Sequence, residues 1–331
     1  MHRRYTIHRF GILAAALFLP AGTASAAESA NPYVGHWALT IPGGGAGWLG
    51  VTENGGKLSA SILWGGGSVL PVDDVKLAGD QLVVLRRSGK GKDRVVETIT
   101  ATRDGDDLKL TTVKSRSNGS TFGKAEFTGK RTPPLPPAPD LTKVKFGEPI
   151  ELFNGKNLDG WKLTNPHAVN GWSAKDGVLT NEVVHAAGKP HKNFGNLRTV
   201  KEFEDFNLKA ETNVPKGGNS GIYLRGIYEV QVLDSFGKPL DPHNMGAVYS
   251  RICPSEAAEK PAGQWQTFDI TLVDRHATVI LNGKKIIDNQ PILGCTGGAL
   301  WSDPLRPGPI YLQGDHTGAN FRKIVLRPVV K

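Results

Sequence analysis

Phe206-Asn207-Leu208-Lys209-Ala210-Glu211 alternates apolar and polar side chains without a break, and Phe268-Asp269-Ile270-Thr271-Leu272 repeats the pattern. Successive side chains of a strand point to opposite faces, so a period of two is typical of antiparallel strands with one buried face. Leu281-Asn282-Gly283-Lys284 adds an Asn-Gly pair, which is a strong hairpin signal. No amphipathic helical pattern stands out beside these runs. The sequence therefore predicts an all-β fold in which two antiparallel sheets pack as a β-sandwich or jelly roll.

A proline-rich stretch, Thr132 to Pro139 (TPPLPPAP), is the clearest boundary in the chain. Proline has no backbone N–H and favours an extended conformation, so this stretch cannot join a sheet ladder. We interpret residues 132–145 as a semi-rigid linker. It separates a first domain, residues 31–131, from a second domain, residues 146–331.

The first domain contains short apolar runs separated by turn signals such as ENGG, RDGDD and RSNGS. Eight short strands with tight connections predict a small antiparallel β-barrel or a small sandwich. Three tryptophans, Trp37, Trp48 and Trp64, have two interpretations. Their rings stack on a sugar, or they fill the core of this domain.

Residues 1–26 match the three parts of a signal peptide. Arg3, Arg4 and Arg9 form a basic start, GILAAALFLP is the apolar run, and Ala24-Ser25-Ala26 is a small-residue cleavage site. The apolar run is shorter than the ~20 residues that span a bilayer, which favours export over stable membrane insertion. We expect a secreted protein that is located in the periplasm or outside the cell.

The formal net charge of the 331 residues is +9, and the arginines of the first segment account for part of it. The remaining charges are scattered and form no basic stripe interleaved with aromatic residues, so we expect no nucleic-acid partner. Cys253 and Cys295 form no Cys-x-x-Cys pair, so a zinc site built on them is not expected. A disulfide between them in an oxidising compartment stays an open alternative.

A series of motifs follows in order along residues 148–327: ELFNGKNLDGW (151–161), GNSGIYLRG (218–226), YEVQVLD (228–234), GAVY (246–249) and GPIYLQGDH (308–316). Each motif alone is weak, but the ordered set is specific. Through it this half of the chain resembles the 3-keto-disaccharide hydrolase family, also described as 3-keto-glycoside lyase/hydratase domains. One departure is Lys323, where relatives usually carry asparagine. The resemblance implies a concanavalin-A-like β-sandwich and a carbohydrate substrate that is already oxidised at C3.

The chemistry of such a substrate follows from the ketone, which acidifies the hydrogen on C2. A base removes that proton, an electrophile stabilises the enolate, and the C1 substituent leaves by elimination. Water then adds to give the free 3-keto sugar. The site therefore needs a base, a group that stabilises the oxyanion and an acid for the leaving group. The resemblance thus implies a 3-keto-glycoside hydrolase or lyase/hydratase.

Three residues are the predicted catalytic set. His316 is the first candidate for the base, because an unperturbed imidazole pKa of about 6.5 suits proton transfer near neutrality; the alternative is a structural loop histidine. Glu229 shares one strand face with Gln231, which predicts a strand that lines the site, whereas a solvent-facing strand is the alternative. Arg225 closes the preceding strand and is the candidate for polarising the C3 oxygen.

The predicted substrate-binding residues are the polar side chains of the same motifs, namely Asn219, Gln231, Asp234, Tyr249, Gln313 and Asp315. Because neighbours on an extended chain point to opposite faces, Asp315 and His316 are not expected to act together. A segment that contains His185 and His191 is interpreted as a solvated loop or as a loop over the site.

No cofactor is predicted with certainty. His316, Glu229 and Asp234 are suitable ligand types, and a divalent cation would stabilise an enediolate. Their spacing matches no tight metal motif, so a divalent cation stays an open alternative. Two other functions also stay open: a non-catalytic carbohydrate-binding sandwich, and a conventional glycoside hydrolase with two carboxyl groups at glycosidase distance.

Overall fold

The computed structural model describes residues 31–183 and 192–330. Within these ranges the regular structure consists of β-strands and a single 3₁₀ turn, Gly91–Asp93, which confirms the all-β class. No helix in the same ranges is long and apolar enough to cross a membrane. The predicted signal peptide and the segment with His185 and His191 lie outside the described residues.

Nine antiparallel strands form one sheet in the N-terminal part of the chain. They are β1 (Gly35–Thr40), β2 (Ala46–Asn54), β3 (Lys57–Trp64), β4 (Leu70–Pro71), β5 (Asp74–Ala78), β6 (Gln81–Ser88), β7 (Val95–Asp104), β8 (Asp107–Arg116) and β9 (Thr121–Arg131). Their order in the sheet is β4-β3-β2-β1-β9-β8-β7-β6-β5. Strands that follow one another in sequence are neighbours, except that β4 and β5 lie at opposite ends of this order, and β1 pairs with β9 in its centre.

This nine-stranded sheet curls around a core of its own. Strands from both halves of the sheet contribute to one cluster, with Trp37 of β1, Ile62 of β3 and Leu82 of β6 all buried in it. Strands β3 and β5 lie near opposite ends of the order yet contact each other, so the sheet has the curvature of a barrel-like sheet. The predicted barrel-like character of this region is confirmed.

Thirteen further strands form the C-terminal sandwich. They are β10 (Ile150–Glu151), β11 (Trp161–Leu163), β12 (Trp172–Lys175), β13 (Val178–Asn181), β14 (Leu197–Thr199), β15 (Phe206–Asn213), β16 (Asn219–Leu224), β17 (Tyr228–Leu233), β18 (Gln266–Val273), β19 (His276–Leu281), β20 (Lys284–Pro291), β21 (Tyr311–Leu312) and β22 (Ala319–Pro328). The larger sheet has the order β12-β13-β22-β15-β18-β19-β20, with β10 beside β22. The smaller sheet has the order β11-β14-β21-β16-β17.

Alternation decides which face of each strand enters the sandwich core. In β15, Phe206, Leu208 and Ala210 are buried and Lys209 is exposed, as the sequence predicts. Apolar residues of both sheets, such as Leu208 and Val230, belong to one buried cluster. The interdigitation of the two inner faces is the feature that defines a β-sandwich, which confirms the predicted fold of this half.

The predicted Asn-Gly hairpin joins β19 to β20. Asn282 and Gly283 both have positive φ, at 51° and 85°. Lys323 of β22 also has a positive φ of 50°, next to an irregularity in the pairing of β22 with β15. Asparagine tolerates this left-handed conformation better than most residues, which gives a physical reason for asparagine at this position in relatives. Here the Lys323 ammonium donates to Glu211 at 2.7 Å.

The proline-rich linker is hydrogen-bonded to the sandwich through its carbonyl groups. The Arg275 guanidinium donates to the carbonyl oxygens of Pro133 and Pro134, and the Asn289 amide donates to Pro139 at 2.9 Å. Since proline keeps its carbonyl but lacks an N–H, acceptor-only contacts are the kind that this stretch can make. Residues 31–331 form one unit.

Trp48 connects the curled sheet to the sandwich. Its indole N–H donates to the carbonyl of Leu293 at 3.0 Å, and the Arg251 guanidinium lies 4.4 Å from the ring centroid. Trp37 lies in the core of the curled sheet, and Trp64 packs edge-on against Phe127. These contacts favour the packing interpretation of the three tryptophans over sugar stacking.

The two cysteines are not bonded to each other. Cys253 is exposed and Cys295 is buried, and both are free thiols. The alternative of a disulfide is therefore not realised in this structure.

Candidate functional site

A cavity of about 250 Å³ opens on the smaller sheet of the sandwich. Val230 and Val232 of β17 face the sandwich core, so alternation turns Glu229 and Gln231 away from it and into the cavity. Seven of the predicted site residues line this cavity, namely Asn219, Glu229, Gln231, Tyr249, Gln313, Asp315 and His316. The structure thus brings together groups from four separate motifs.

Glu229 is a buried carboxyl group with 3 % of its surface exposed. Burial raises the pKa of Glu229 to about 8, a hydrogen bond with Tyr223 opposes this rise, and the negative charge of Asp315 adds to it. A charged carboxylate loses its hydration when it is buried, so the neutral form is favoured. At neutral pH Glu229 is therefore mainly a protonated acid that can donate a hydrogen.

The Tyr223 hydroxyl lies directly against this carboxyl. It is 2.9 Å from Oε2 of Glu229 and 2.7 Å from the carbonyl oxygen of Gly297. A phenol has one hydrogen, and a carbonyl only accepts. The single phenol hydrogen therefore has two acceptors, and its donation to Glu229 is the contact that opposes the rise of the Glu229 pKa.

Two neighbours on the β16–β17 hairpin hold the other side of Glu229. The Gln231 amide is oriented so that its nitrogen faces hydrogen-bond acceptors. This nitrogen donates to the Ser220 carbonyl oxygen at 2.9 Å and to Oε1 of Glu229 at 3.2 Å. Gly221 lies beside the same oxygen, and a Cβ atom at Gly221 would overlap it. The absence of a side chain at Gly221 therefore makes the space that the carboxyl occupies.

Asp315 and His316 form a pair at the mouth of the cavity. The Nδ1 atom of His316 lies 2.6 Å from Oδ1 of Asp315. The hydrogen bond with Asp315 raises the pKa of His316 above its usual value, and burial opposes this rise. Burial is the largest influence on the pKa of Asp315 and acts to raise it, but the hydrogen bond and the charge of His316 together with the hydrogen bond from Asn196 make the net shift downward. Because Nδ1 is engaged, Nε2 is the ring nitrogen that remains for a substrate.

This pairing corrects the expectation that Asp315 and His316 point apart. That expectation assumed an extended chain through both residues. Strand β21 ends at Leu312, and the residues that follow it form bends. Strict alternation applies only within a strand, so the two side chains are free to meet.

Asn196 fixes the position of this pair. Its side-chain amide nitrogen donates to the Tyr311 hydroxyl at 3.1 Å and to Oδ2 of Asp315 at 3.3 Å, and its oxygen accepts from the Gly314 N–H at 2.7 Å. Tyr311 in turn stacks on Tyr223, with ring centroids 4.0 Å apart and planes inclined by 11°. The two ends of the site, Glu229 and Asp315, are thus connected through a rigid aromatic pair.

Two buried amide oxygens in the cavity wall lack a partner among the described residues. They are Oδ1 of Asn219 and Oε1 of Gln313. Both residues are held by other bonds, since the Asn219 N–H donates to Thr317 and the Gln313 N–H donates to Gly221. An unpaired buried acceptor is costly, so these atoms suit a ligand that presents hydroxyl groups.

Tyr249 forms another part of the wall. Its backbone N–H donates to the carbonyl of Glu229 at 2.9 Å, and its ring meets the His243 ring edge-on at 4.8 Å. His243 is paired with Asp241 at 2.5 Å and with the Ser68 hydroxyl at 2.8 Å. These contacts link the cavity wall to the curled sheet.

Arg225 lies outside the cavity. It occupies the turn after β16, has a positive φ of 54°, and its guanidinium donates to the carbonyl of Arg306 at 2.6 Å. The side chain lines a different cleft with Asp205 and Arg275. The expected contact of Arg225 with the C3 oxygen does not fit this placement, because the turn carries the side chain away from the sheet face that bears Glu229.

Asp234 also lies outside the cavity. Its carboxylate accepts from the Gly217 N–H at 2.9 Å and closes the loop that precedes β16. It therefore does not lie with His316 and Glu229 as a third ligand type. Within residues 31–183 and 192–330, no three histidine, cysteine, aspartate or glutamate side chains converge in a way that could hold a metal ion.

The sequence did not predict half of the cavity lining, namely the side chains of Tyr223, Tyr311 and Asn196 and four glycines. A signal existed for Tyr223, because the β16–β17 register places it opposite Glu229 and two residues from Gly221 on the same face. Asn196 carried no signal, since it precedes β14 and reaches Asp315 only through the fold.

Comparison with known families supports the resemblance. The profile of the 3-keto-alpha-glucoside-1,2-lyase-like domain matches residues 148–327, which is more than half of the chain. A 3-keto-disaccharide hydrolase of Bacteroides thetaiotaomicron is 29% identical over 143 residues, which is 35% of this chain and 49% of that protein. The chain thus spans about half the length of that relative.

Among solved structures, two proteins of Parabacteroides distasonis described as candidate glycosyl hydrolases are similar to this chain. One is 21% identical with a TM-score of 0.45 and is matched over 55% of this chain and 94% of its own. The other is 26% identical with a TM-score of 0.41 and is matched over 55% of this chain and 100% of its own. With the motifs, the sandwich and the profile match in agreement, the chain belongs to the family of 3-keto-alpha-glucoside-1,2-lyase-like domains.

Proposed function

We propose that this protein is a carbohydrate-active enzyme that cleaves 3-keto-glycosides by elimination and hydration. Family membership and the similarity to a 3-keto-disaccharide hydrolase supply the substrate class. The observation that carries the mechanism is a pair of differently tuned groups in one cavity. They are the buried, protonated Glu229 and the Asp315-paired His316. A site that combines acid and base catalysis needs two titratable groups, one that donates a proton and one that accepts a proton.

His316 is the proposed base. Its Nε2 takes the proton from C2, the electrons of the C2–H bond form the enolate, and the bond from C1 to the glycosidic oxygen then breaks. Asp315 orients the ring through Nδ1 and stabilises the imidazolium that forms. The raised pKa of His316 makes the imidazole a stronger base once it is neutral.

Glu229 is the proposed acid. It donates its proton to the departing glycosidic oxygen, so the products of this step are an alcohol and a 1,2-unsaturated 3-keto sugar. Water then adds its oxygen to C1 of this intermediate and gives one proton to the Glu229 carboxylate, while the imidazolium of His316 returns a proton to C2. The net reaction consumes one water and leaves the free 3-keto sugar, with both catalytic groups restored. Asn219 and Gln313 are the proposed acceptors for sugar hydroxyl groups.

The test is product analysis by NMR in D2O with a 3-keto-glucoside as substrate. We expect the released 3-keto sugar to carry deuterium at C2, because the abstracted proton exchanges with solvent before it returns. We expect His316→Ala to lower the turnover number roughly 10²- to 10⁴-fold, which is the usual contribution of a general base. Exposed His167 is not among the residues that line the cavity, so His167→Ala serves as the matched control.

Two results would contradict the proposal. Cleavage of ordinary glycosides without deuterium at C2 would identify a conventional glycosidase with Glu229 and Asp315 as its carboxyl pair. Binding of the 3-keto-glucoside without any product would identify a carbohydrate-binding module.

We further propose that the protein is exported, with residues 1–26 as the signal peptide. The support is the basic start, the short apolar run and the small-residue cleavage site in the sequence. Sequencing of the N-terminus of the mature protein from fractionated cells tests this proposal. An intact first segment on cytoplasmic material would refute it.

A further inference from the structure

The curled N-terminal sheet contributes directly to the cavity. Gly66 and Gly67, which follow strand β3, line it together with Glu229 and His316. These two glycines lie more than eighty residues before the first of the sandwich motifs, which begins at Glu151. The family match begins at residue 148, so this part of the wall comes from outside the matched domain.

The loop that contains these glycines is held against the sandwich at both ends. At one end the Gly298 N–H approaches the carbonyl of Gly65 at 3.4 Å. At the other end the Ser68 hydroxyl bonds His243 at 2.8 Å, and the Val69 N–H donates to the Ser250 hydroxyl at 2.8 Å. These hydrogen bonds hold the loop in place as one wall of the cavity.

A chain of contacts connects the loop to the acid. Gly67 packs so closely on Gly297 that a Cβ atom at Gly297 would overlap the carbonyl of Gly67. The carbonyl of Gly297 accepts from Tyr223, and Tyr223 contacts Glu229. Only two residues therefore stand between the loop and the group that protonates the leaving oxygen.

We propose that Gly66 and Gly67, in the loop after β3 of the N-terminal sheet, form the leaving-group subsite of the enzyme and limit the size of the aglycone. This inference rests on the proposed function, because it takes Glu229 as the acid. Glycine at position 66 leaves room for a second sugar unit beside the acid. A side chain there would occupy that room.

Gly66 is the position at which the subsite can be tested without strain. Its backbone lies outside the left-handed region, and a Cβ atom built on it meets nothing within 4 Å. Gly65 and Gly67 both have positive φ, so substitutions there would strain the backbone. Ser59, exposed on β3 of the same sheet and outside the cavity lining, is the matched control.

The experiment compares kcat/KM for a 3-keto-disaccharide with kcat/KM for methyl 3-keto-glucoside. We expect Gly66→Phe to lower the ratio of the two values roughly tenfold or more, a typical size for a lost pocket contact or a steric block. Ser59→Phe should leave the ratio unchanged. If Gly66→Phe keeps the ratio within about twofold of wild type, the loop does not form the leaving-group subsite.

Two further measurements keep the proposal testable. If Gly66→Phe does not fold, the series Gly66→Ala, Gly66→Ser and Gly66→Val should lower the ratio in order of side-chain volume, and a flat series overturns the proposal. If the wild-type protein cleaves neither substrate, the proposed function fails, and calorimetry with both sugars tests the subsite alone. Selective loss of disaccharide binding in Gly66→Phe supports the subsite, and equal binding refutes it.

Discussion

Glu229 is a carboxyl group that the fold keeps neutral. Among the described residues it contacts hydrogen-bonding neutral groups, Tyr223 and Gln231, and no lysine or arginine forms an ion pair with it. Burial therefore acts on it without compensation from a positive charge. The same physical condition makes it expensive to ionise and useful as an acid near neutral pH.

The pH dependence of kcat/KM follows from the two shifted groups. His316 must be neutral to act as a base, so activity rises with pH through a value above 6.5. Glu229 must be protonated to act as an acid, so activity falls again near pH 8. We expect a bell-shaped profile with its maximum between these values.

In Glu229→Gln the alkaline limb of this profile should disappear, the acidic limb should remain, and kcat should fall roughly 10²- to 10⁴-fold. An alkaline limb that persists in this variant would show that another group is the acid.

A second measurement reports on Glu229 without using activity. The folded pKa of about 8 lies above the ordinary value of 4.5, so between these pH values the folded state binds more protons than the unfolded state. Stability from this group is complete below about pH 4.5 and is lost as pH rises to about 8. The unfolding free energy of Glu229→Gln relative to wild type should therefore increase across this range. A constant difference in urea unfolding would contradict a raised pKa.

The β16–β17 hairpin is the element that assembles the acid end of the site. Its antiparallel register places Tyr223 opposite Glu229 and Gly221 opposite Gln231. One face of the hairpin therefore carries the Glu229 carboxyl together with its partners Tyr223 and Gln231. Gly221 on the same face leaves the space that the carboxyl occupies. The opposite face supplies Ile222 and Val230 to the sandwich core, which keeps the register from slipping.

Gly221→Ala tests this arrangement at the level of the element. An added methyl group would overlap Oε1 of Glu229, while φ at this position is not in the left-handed region, so the change acts on the carboxyl and not on the backbone. We expect kcat to fall roughly tenfold or more, because small displacements of catalytic groups are costly. Steady-state kinetics measures the loss, and Gly147→Ala, whose Cβ would lie 3.3 Å from the nearest atom, is the control. Wild-type activity in Gly221→Ala would mean that Glu229 needs no fixed position.

At the scale of the whole molecule, Trp48 holds the curled sheet against the sandwich. The indole is buried, and a Cβ atom at Gly50 or at Gly294 would overlap it. One of these glycines lies in the curled sheet and the other in the sandwich, so each side leaves a space that the indole fills.

Trp48→Ala should remove this connection. Deletion of a buried aromatic side chain costs about 3–5 kcal/mol, since contacts are lost and a cavity remains. The lost hydrogen bond to Leu293 adds to this cost. Urea unfolding measures the change. Trp64→Ala, which removes a half-buried ring within the curled sheet, should cost less. A loss below about 1 kcal/mol for Trp48→Ala would show that the two parts are held together by other contacts.

The sequence by itself determined the strand periodicity, the all-β class, the family and the face of β17 that bears Glu229 and Gln231. These features depend on the order of neighbouring residues, because alternation is a local property of an extended chain. It also identified half of the residues that line the cavity, because they stand in motifs of the family.

Only the tertiary structure decided which side chains contact one another in the site. It placed Arg225 in another cleft, joined Asp315 to His316 beyond the end of β21, and brought Asn196 and Gly66 to the same cavity. Contacts of this kind link residues that are far apart in the chain or that lie where regular structure ends, and no local pattern specifies them. The raised pKa of Glu229 is likewise not specified by any local pattern, because it results from burial in the packed molecule.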